Sequence, residues 1–224
     1  MPIARRLLAE FLGTSLLLVA VVGSGIMAAS LSRGNDGVAL LANAAATAGA
    51  LYVLITLLGP ISGAHFNPMV TLTMRLRGEL STRDAVAYIA VQFPAAVAGV
   101  LMAHAMFGLE LLQPGTHART GLPQWTSEVV ATFGLLITVL LGARQRPASM
   151  PALVASYIFA AYWFTASTSF ANPAVTVARA FTQTFAGIRP EDVAGFILAQ
   201  GIGTLLALPV ARLLVPREGL ATQA

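Results

Sequence analysis

The chain has 224 residues, of which 57% are hydrophobic and 10% charged, with a formal net charge of +4. This composition excludes an ordinary soluble domain and leaves room for six spans of about 20 residues, the length that crosses a bilayer. The basic residues, all arginine, stand singly or in pairs between apolar runs and mark no nucleic-acid surface; with no cysteine, disulfides and thiolate metal sites are excluded too.

Arg5 and Arg6 precede the first apolar run, which superficially resembles a secretory leader. Glu10 within it and the lack of a convincing cleavage site predict a retained helix over 7–28 instead. Further spans are expected near 38–58, 86–108, 126–143, 150–168 and 193–214. Between the second and third lies GAHFNPMVTL, Gly63 to Leu72; between the fifth and sixth lies SFANPAVTV, Ser169 to Val177. Each places Asn-Pro before a short helix-forming run, giving half-helices near 67–75 and 172–181. The order is helix, helix, half-helix, helix, and then the same again.

The Asn-Pro pair has a specific physics. Proline suits the first helical position and asparagine is a leading N-cap, so Asn67-Pro68-Met69 and Asn172-Pro173-Ala174 read as helix starts. Polar turns at membrane depth are tolerated only where they are buried in protein or line a water-filled cavity. Two of them in matching halves point to a pore where the repeats meet. If the half-helices enter from opposite faces, their positive dipole ends meet near the midplane and repel cations. Each Asn then has an amide NH2 free to hold a neutral solute by its oxygen.

Internal similarity supports a duplication. AEFLGTSLLL, Ala9 to Leu18, aligns with SEVVATFGLL, Ser127 to Leu136, matching Glu10 with Glu128; downstream, Gln92 matches Gln200. The first repeat is placed at about 1–108, a linker at about 109–124 and the second repeat at about 125–214. Arg5, Arg6, Arg75, Arg77, Arg83, Arg144, Arg146, Arg212 and Arg217 fall on one side of the expected topology, and Arg33, Arg119, Arg179 and Arg189 on the other. By the positive-inside rule both termini are cytoplasmic and the repeats are inverted.

Glu10 and Glu128 are expensive inside a membrane and need partners. They serve either as relays of a proton-coupled transporter or as braces that accept hydrogen bonds from the re-entrant loops. Gln92 and Gln200 bond across helices as part of the same bracing. His65 is either a pH gate or a positioning residue. His65, His104 and His117 do not pair at metal-ligand spacing, and no nucleophile motif or phosphate loop is present, so neither metal, cofactor nor enzymatic activity is expected.

HFNPMVT and FANPAVT resemble the paired boxes of the aquaporin, or major intrinsic protein, family, and SGAHFNP, Ser62 to Pro68, is close to that family's first-box consensus. The resemblance covers nearly the whole chain. It implies an all-α membrane protein of the aquaporin fold, with six transmembrane helices and two re-entrant half-helices in two inverted repeats. It also implies a homotetramer with one pore per protomer, in contact with the lipid bilayer of a bacterial inner membrane, and a pore lined near its centre by Gly63, Ala64 and His65.

In that family a second constriction is built from four positions. Counted from the two Asn residues, they fall on Thr47, Ala160, Ser169 and Val175, the last where the family usually has arginine. This ring has no aromatic, histidine or charge, and its expected consequence is a wider, less polar filter. It is similar to bacterial aquaporins associated with arsenic resistance, in which valine replaces that arginine. Arsenous acid, neutral at pH 7 and covered in hydroxyls, fits such a filter, as do small polyols. Arg179, one turn beyond Val175, is either a displaced anion-attracting group over the mouth or a solvated loop arginine. Met69, where the family usually has alanine, is a second departure. The reading is a passive channel for small neutral solutes; the alternatives are an ordinary glycerol or water aquaporin and the proton-coupled transporter.

Overall fold

Backbone N–H and C=O groups in a bilayer must be satisfied within the protein, so long apolar runs become helices. The computed structural model describes residues 1–214. Its helices are α1 (Ile3–Leu31), α2 (Asp36–Ser62), α3 (Pro68–Leu76), α4 (Thr82–Met106), α5 (Leu122–Gln145), α6 (Met150–Phe164), α7 (Pro173–Arg179) and α8 (Val193–Leu214). Arg217, counted above toward orientation, lies outside the described residues.

α1, α2, α4, α5 and α8 are long and apolar enough to cross a membrane. α6 has 15 residues, about 22 Å of helix, and a 3-10 turn at Pro147–Ser149 leads into it. The expected span of 150–168 is therefore corrected. The helix stops at Phe164 because Thr165 turns extended and Thr168 and Ser169 follow at φ 60° and 51°. α7 likewise ends at Arg179, short of the expected 181. α5 begins at Leu122, inside the expected linker.

The element order repeats, with α1, α2 and α4 accompanying half-helix α3, and α5, α6 and α8 accompanying half-helix α7. α1 packs against α2 and α4, and α5 against α6 and α8; α2 meets α6, while α4 holds α7 and α8 touches α3. Each half-helix thus touches the last helix of the other repeat. Glycine permits the closest approaches. A Cβ on Gly99 of α4 would collide with the Ser15 carbonyl of α1, and one on Gly203 of α8 with that of Val129 in α5. Leu8, Leu12, Leu16, Leu198 and Leu205 face outward, as a lipid-facing surface requires. Trp125 and Trp163, both partly exposed, stand at the same end, where aromatic side chains suit a membrane interface.

The connection between repeats is pinned down rather than free. Gln113 N donates to Phe181 O at 3.2 Å, Gly115 N to Ala180 O at 2.8 Å and Arg189 N to His117 O at 2.9 Å. The fully buried His104 ring adds contacts to Leu111 O and Thr182 Oγ1, both at 2.8 Å. The connection and the segment after α7 together build one mouth of the molecule.

Candidate pore

Both Asn-Pro pairs start their half-helices. Asn67 Oδ1 accepts from Met69 N at 2.8 Å, and Asn172 Oδ1 accepts from Ala174 N at 3.0 Å and Val175 N at 3.3 Å. Pro68 and Pro173 take the first helical position, where a missing N–H costs nothing. The chain reaches each Asn through left-handed residues. Gly63, Ala64 and Phe66 lie at φ 89°, 49° and 48°, and their counterparts Thr168, Ser169 and Ala171 at 60°, 51° and 48°. Non-glycine residues held there cost of order 1–3 kcal/mol each, so something must hold them.

Glu10 and Glu128 supply that hold. Glu10 accepts from Ser62 Oγ at 2.7 Å, His65 N at 3.0 Å, Phe66 N at 2.8 Å and Gln92 Nε2 at 2.9 Å. Glu128 accepts from Phe170 N and Ala171 N, both at 2.9 Å, and from Gln200 Nε2 at 2.7 Å. Gln92 and Gln200 also donate to Thr71 Oγ1 and Thr176 Oγ1 on the half-helices. Both carboxylates are fully buried and neither lines the cavity.

The two loops meet through their asparagines. Asn67 Nδ2 donates to Ala171 O and Asn172 Nδ2 to Phe66 O, each at 2.8 Å. One amide hydrogen of each is therefore spent across the junction, and one is left for the lumen. A cavity of about 610 Å³ runs past this junction. Gly63, Ala64, His65, Asn67, Ser169 and Asn172 line it on the loop side, and Val21, Leu51, Ile158 and Val175 give it an apolar wall. Pro68, Met69, Pro173, Ala174, Gln92 and Gln200 stand behind the lining; Met69 is buried in the packing of α3.

Of the four expected filter positions, Thr47, Ser169 and Val175 line the cavity. Ala160 does not, and this placement is corrected: it is exposed on the outer face of α6. Val154, Ile158 and Tyr162, spaced by four residues, form the inward face of α6, and a position two residues from either of the last two lies about 200° round the helix. Tyr162 OH donates to Thr47 Oγ1 at 3.4 Å across the mouth. The ring accordingly includes an aromatic that residue counting missed, although the four-residue stripe was visible in the sequence.

The ring is also not free of charge. Arg179 is 2% exposed and lines the cavity. Its Nε donates to Ala186 O, and its guanidinium carbon lies 3.4 Å from the centroid of Phe170. Arg119, from the connection, is 5% exposed and approaches the same ring at 5.0 Å. Its Nε donates to Gly187 O at 2.9 Å and its Nη1 to Ser167 O at 3.1 Å. Burial lowers the Arg119 guanidinium to about 10, against the pull of Glu128 and Tyr162, which leaves it charged at neutral pH. Nothing in the sequence marked Arg119, because its partners lie 48 and 68 residues away.

At the other end His65 meets Thr71 Oγ1 through Nδ1 at 3.1 Å and stands edge-on to Tyr88, with ring centroids 5.2 Å apart. Phe170 and Phe196, the counterparts in the second repeat, pair in the same way at 5.1 Å. Arg6 donates to Tyr88 OH at 2.7 Å and to Asp84 at 2.8 Å. Among the described residues, no three of His, Asp and Glu gather as a metal site.

The sequence pattern of the family described as Major intrinsic protein matches residues 1–163. The chain belongs to the major intrinsic protein family. It is 54% identical over 213 residues to "Aquaglyceroporin AqpS" of Rhizobium meliloti (strain 1021), a match covering 95% of this chain and 91% of that protein. "Aquaporin TIP2-3" of Zea mays is 34% identical over 58% of this chain and 54% of its own length. The X-ray structure of the aquaglyceroporin from Plasmodium falciparum superposes with a TM-score of 0.77, covering 96% of this chain and 98% of that one at 17% identity. That likeness shows the fold. As a major intrinsic protein the chain is a multi-pass membrane channel that passes small solutes passively, not an enzyme, and the proton-coupled alternative falls away.

Proposed function

We propose that this major intrinsic protein passes arsenous acid and related metalloid acids, together with small polyols such as glycerol and with some water. The observation that carries the reading is Val175. It stands on the cavity wall with Leu51 and Ile158, opposite the loop residues around Asn67 and Asn172. An apolar wall facing a polar strip suits a solute with hydroxyls on a compact body, because such a solute exchanges its water for loop hydrogen bonds without meeting a cation at position 175. The relative named an aquaglyceroporin supports the polyol half of the reading. In this reading Asn67 and Asn172 form the central donor station, Thr47, Ser169 and Val175 form the filter, and Glu10, Glu128, Gln92 and Gln200 brace the loops.

The protein works as a homotetramer with one pore per protomer. It sits in a bacterial inner membrane with both termini in the cytoplasm, an orientation supported by the arginine bias. Its halves divide at the connection that holds Arg119.

Stopped-flow measurements in proteoliposomes over arsenous acid, glycerol, urea and water test the reading. Arsenous acid and glycerol are expected to enter well above protein-free vesicles. If water alone exceeds that background, the chain is an ordinary water channel and the proposal fails.

A further inference from the structure

Arg179 is a buried cation with donors to spare. Beyond the bond from Nε to Ala186 O and the face contact with Phe170, no described residue accepts from Nη1 or Nη2, and none forms an ion pair with it. Ser169 lines the same cavity, and its buried Oγ has no hydrogen-bond partner. The nearby acids are committed elsewhere. Glu128 holds the loop and Gln200, while Asp192 is taken by Arg189 and by the backbone N–H of Arg119. Arg119 adds a second cation, 5.0 Å from the centroid of the same Phe170 ring. Burying a charge without a counter-charge costs several kcal/mol, and the free fork of a guanidinium matches two oxygens of an oxyanion.

We infer that the Arg179 mouth is a binding site for a small monovalent oxyanion, held by the Nη groups of Arg179 and the hydroxyl of Ser169, and that its occupant blocks the passage of neutral solutes. Val175 leaves room for it. Moving inward, the anion loses these donors and meets Val175 and Ile158, which offer none, so it stays at the mouth. The blocking half of this inference rests on the cavity being the conducting path proposed above; the binding half does not.

The probe is methanesulfonate, which stays anionic across the working pH range, with neutral dimethyl sulfone as control at constant ionic strength. Glycerol permeability of wild-type proteoliposomes is expected to fall saturably with methanesulfonate and to ignore dimethyl sulfone. Arg179→Gln is expected to raise the half-blocking concentration about ten- to a hundred-fold, as the loss of charged hydrogen bonds implies, and Ser169→Ala about three- to ten-fold. In detergent, the melting temperature of the wild type is expected to rise with methanesulfonate alone. Should Arg179→Gln fail to fold, Ser169→Ala decides. No rise in melting temperature together with no block, or a block unchanged in both variants, overturns the inference. Binding without a block overturns its second half. A protein that conducts no glycerol yet is stabilised by methanesulfonate keeps the site and refutes the conduction reading instead.

Discussion

Asn67 and Asn172 each complete the other's loop: the amide of one donates to Ala171 O and that of the other to Phe66 O, both at 2.8 Å. The same side chains cap α3 and α7 through their oxygens. Each therefore works on both sides of the junction between repeats, and neither can change without disturbing the opposite half.

Asn67→Asp and Asn172→Asp test this coupling. Aspartate keeps the cap but loses the amide donor, and it sets a carboxylate against a carbonyl oxygen. Leaving that buried carbonyl unsatisfied costs about 1–3 kcal/mol. Loss of neutral-solute flux with a gain of cation leak is expected, because the added negative charge offsets the half-helix dipoles. Permeability and membrane-potential assays on the same vesicles check it; unchanged flux with no leak in both variants would defeat the idea.

Glu10 predicts an asymmetry between acceptors and donors. The carboxylate accepts from four groups and donates to none. In Glu10→Gln the new NH2 faces a donor whichever way it turns, and one backbone N–H, of His65 or Phe66, loses its acceptor. The expected cost is about 1–3 kcal/mol, with the same cost for Glu128→Gln at Phe170 or Ala171. Ala variants lose every bond and are expected to fold poorly. Thermal melts rank the variants. Transport by the folded Gln forms is expected to ignore an imposed proton gradient, since neither carboxylate lines the cavity.

The features that could be read from the sequence were those that recur. Glu10 and Glu128, the Asn-Pro boxes, and Gln92 and Gln200 come in the same order in both halves, and polar residues in apolar runs are conspicuous. Together they gave the repeat, the half-helices and the bracing network. What stayed hidden depends on loop geometry and on contacts distant in sequence. Counting back from Asn172 landed on Ala160 because the count assumes a fixed loop length after α6, whereas the helical period alone selects Ile158 and Tyr162. Arg119 was unreadable for a different reason: its partners are backbone carbonyls of Ser167 and Gly187, which leave no trace in residue type.

His117 gives a pH prediction for the mouth. Partial burial, and then the nearby Arg119 and Arg179 charges, hold the imidazole of this largely exposed residue below the ordinary value of 6.5. Above that value both folded and unfolded chains keep it neutral. As the pH falls below it, the unfolded chain takes up a proton that the folded connection disfavours, so stability drops toward acid. The wild type is expected to lose more melting temperature than His117→Gln between pH 7.5 and about pH 5. Equal losses would show that the connection does not feel this charge.

Val175→Arg places a cation at the proposed filter position. Val175 and Arg179 are four residues apart on α7, so the new guanidinium would sit one turn from an existing one. Ala186 O already accepts from Arg179, and Asp192 is paired with Arg189. The side chain must therefore extend into the lumen beside Thr47 and Tyr162, filling space that valine leaves open and adding five N–H donors. In a pore, diameter and charge decide what passes. Flux of arsenous acid and glycerol is expected to fall by at least about tenfold, the effect of a difference near 1.4 kcal/mol, while water flux falls less because water needs a narrower path. The ratio of arsenous acid to water permeability, measured on one vesicle preparation, decides the matter. A ratio equal to that of the wild type would move the selecting step away from position 175, toward Arg179 and the Asn junction.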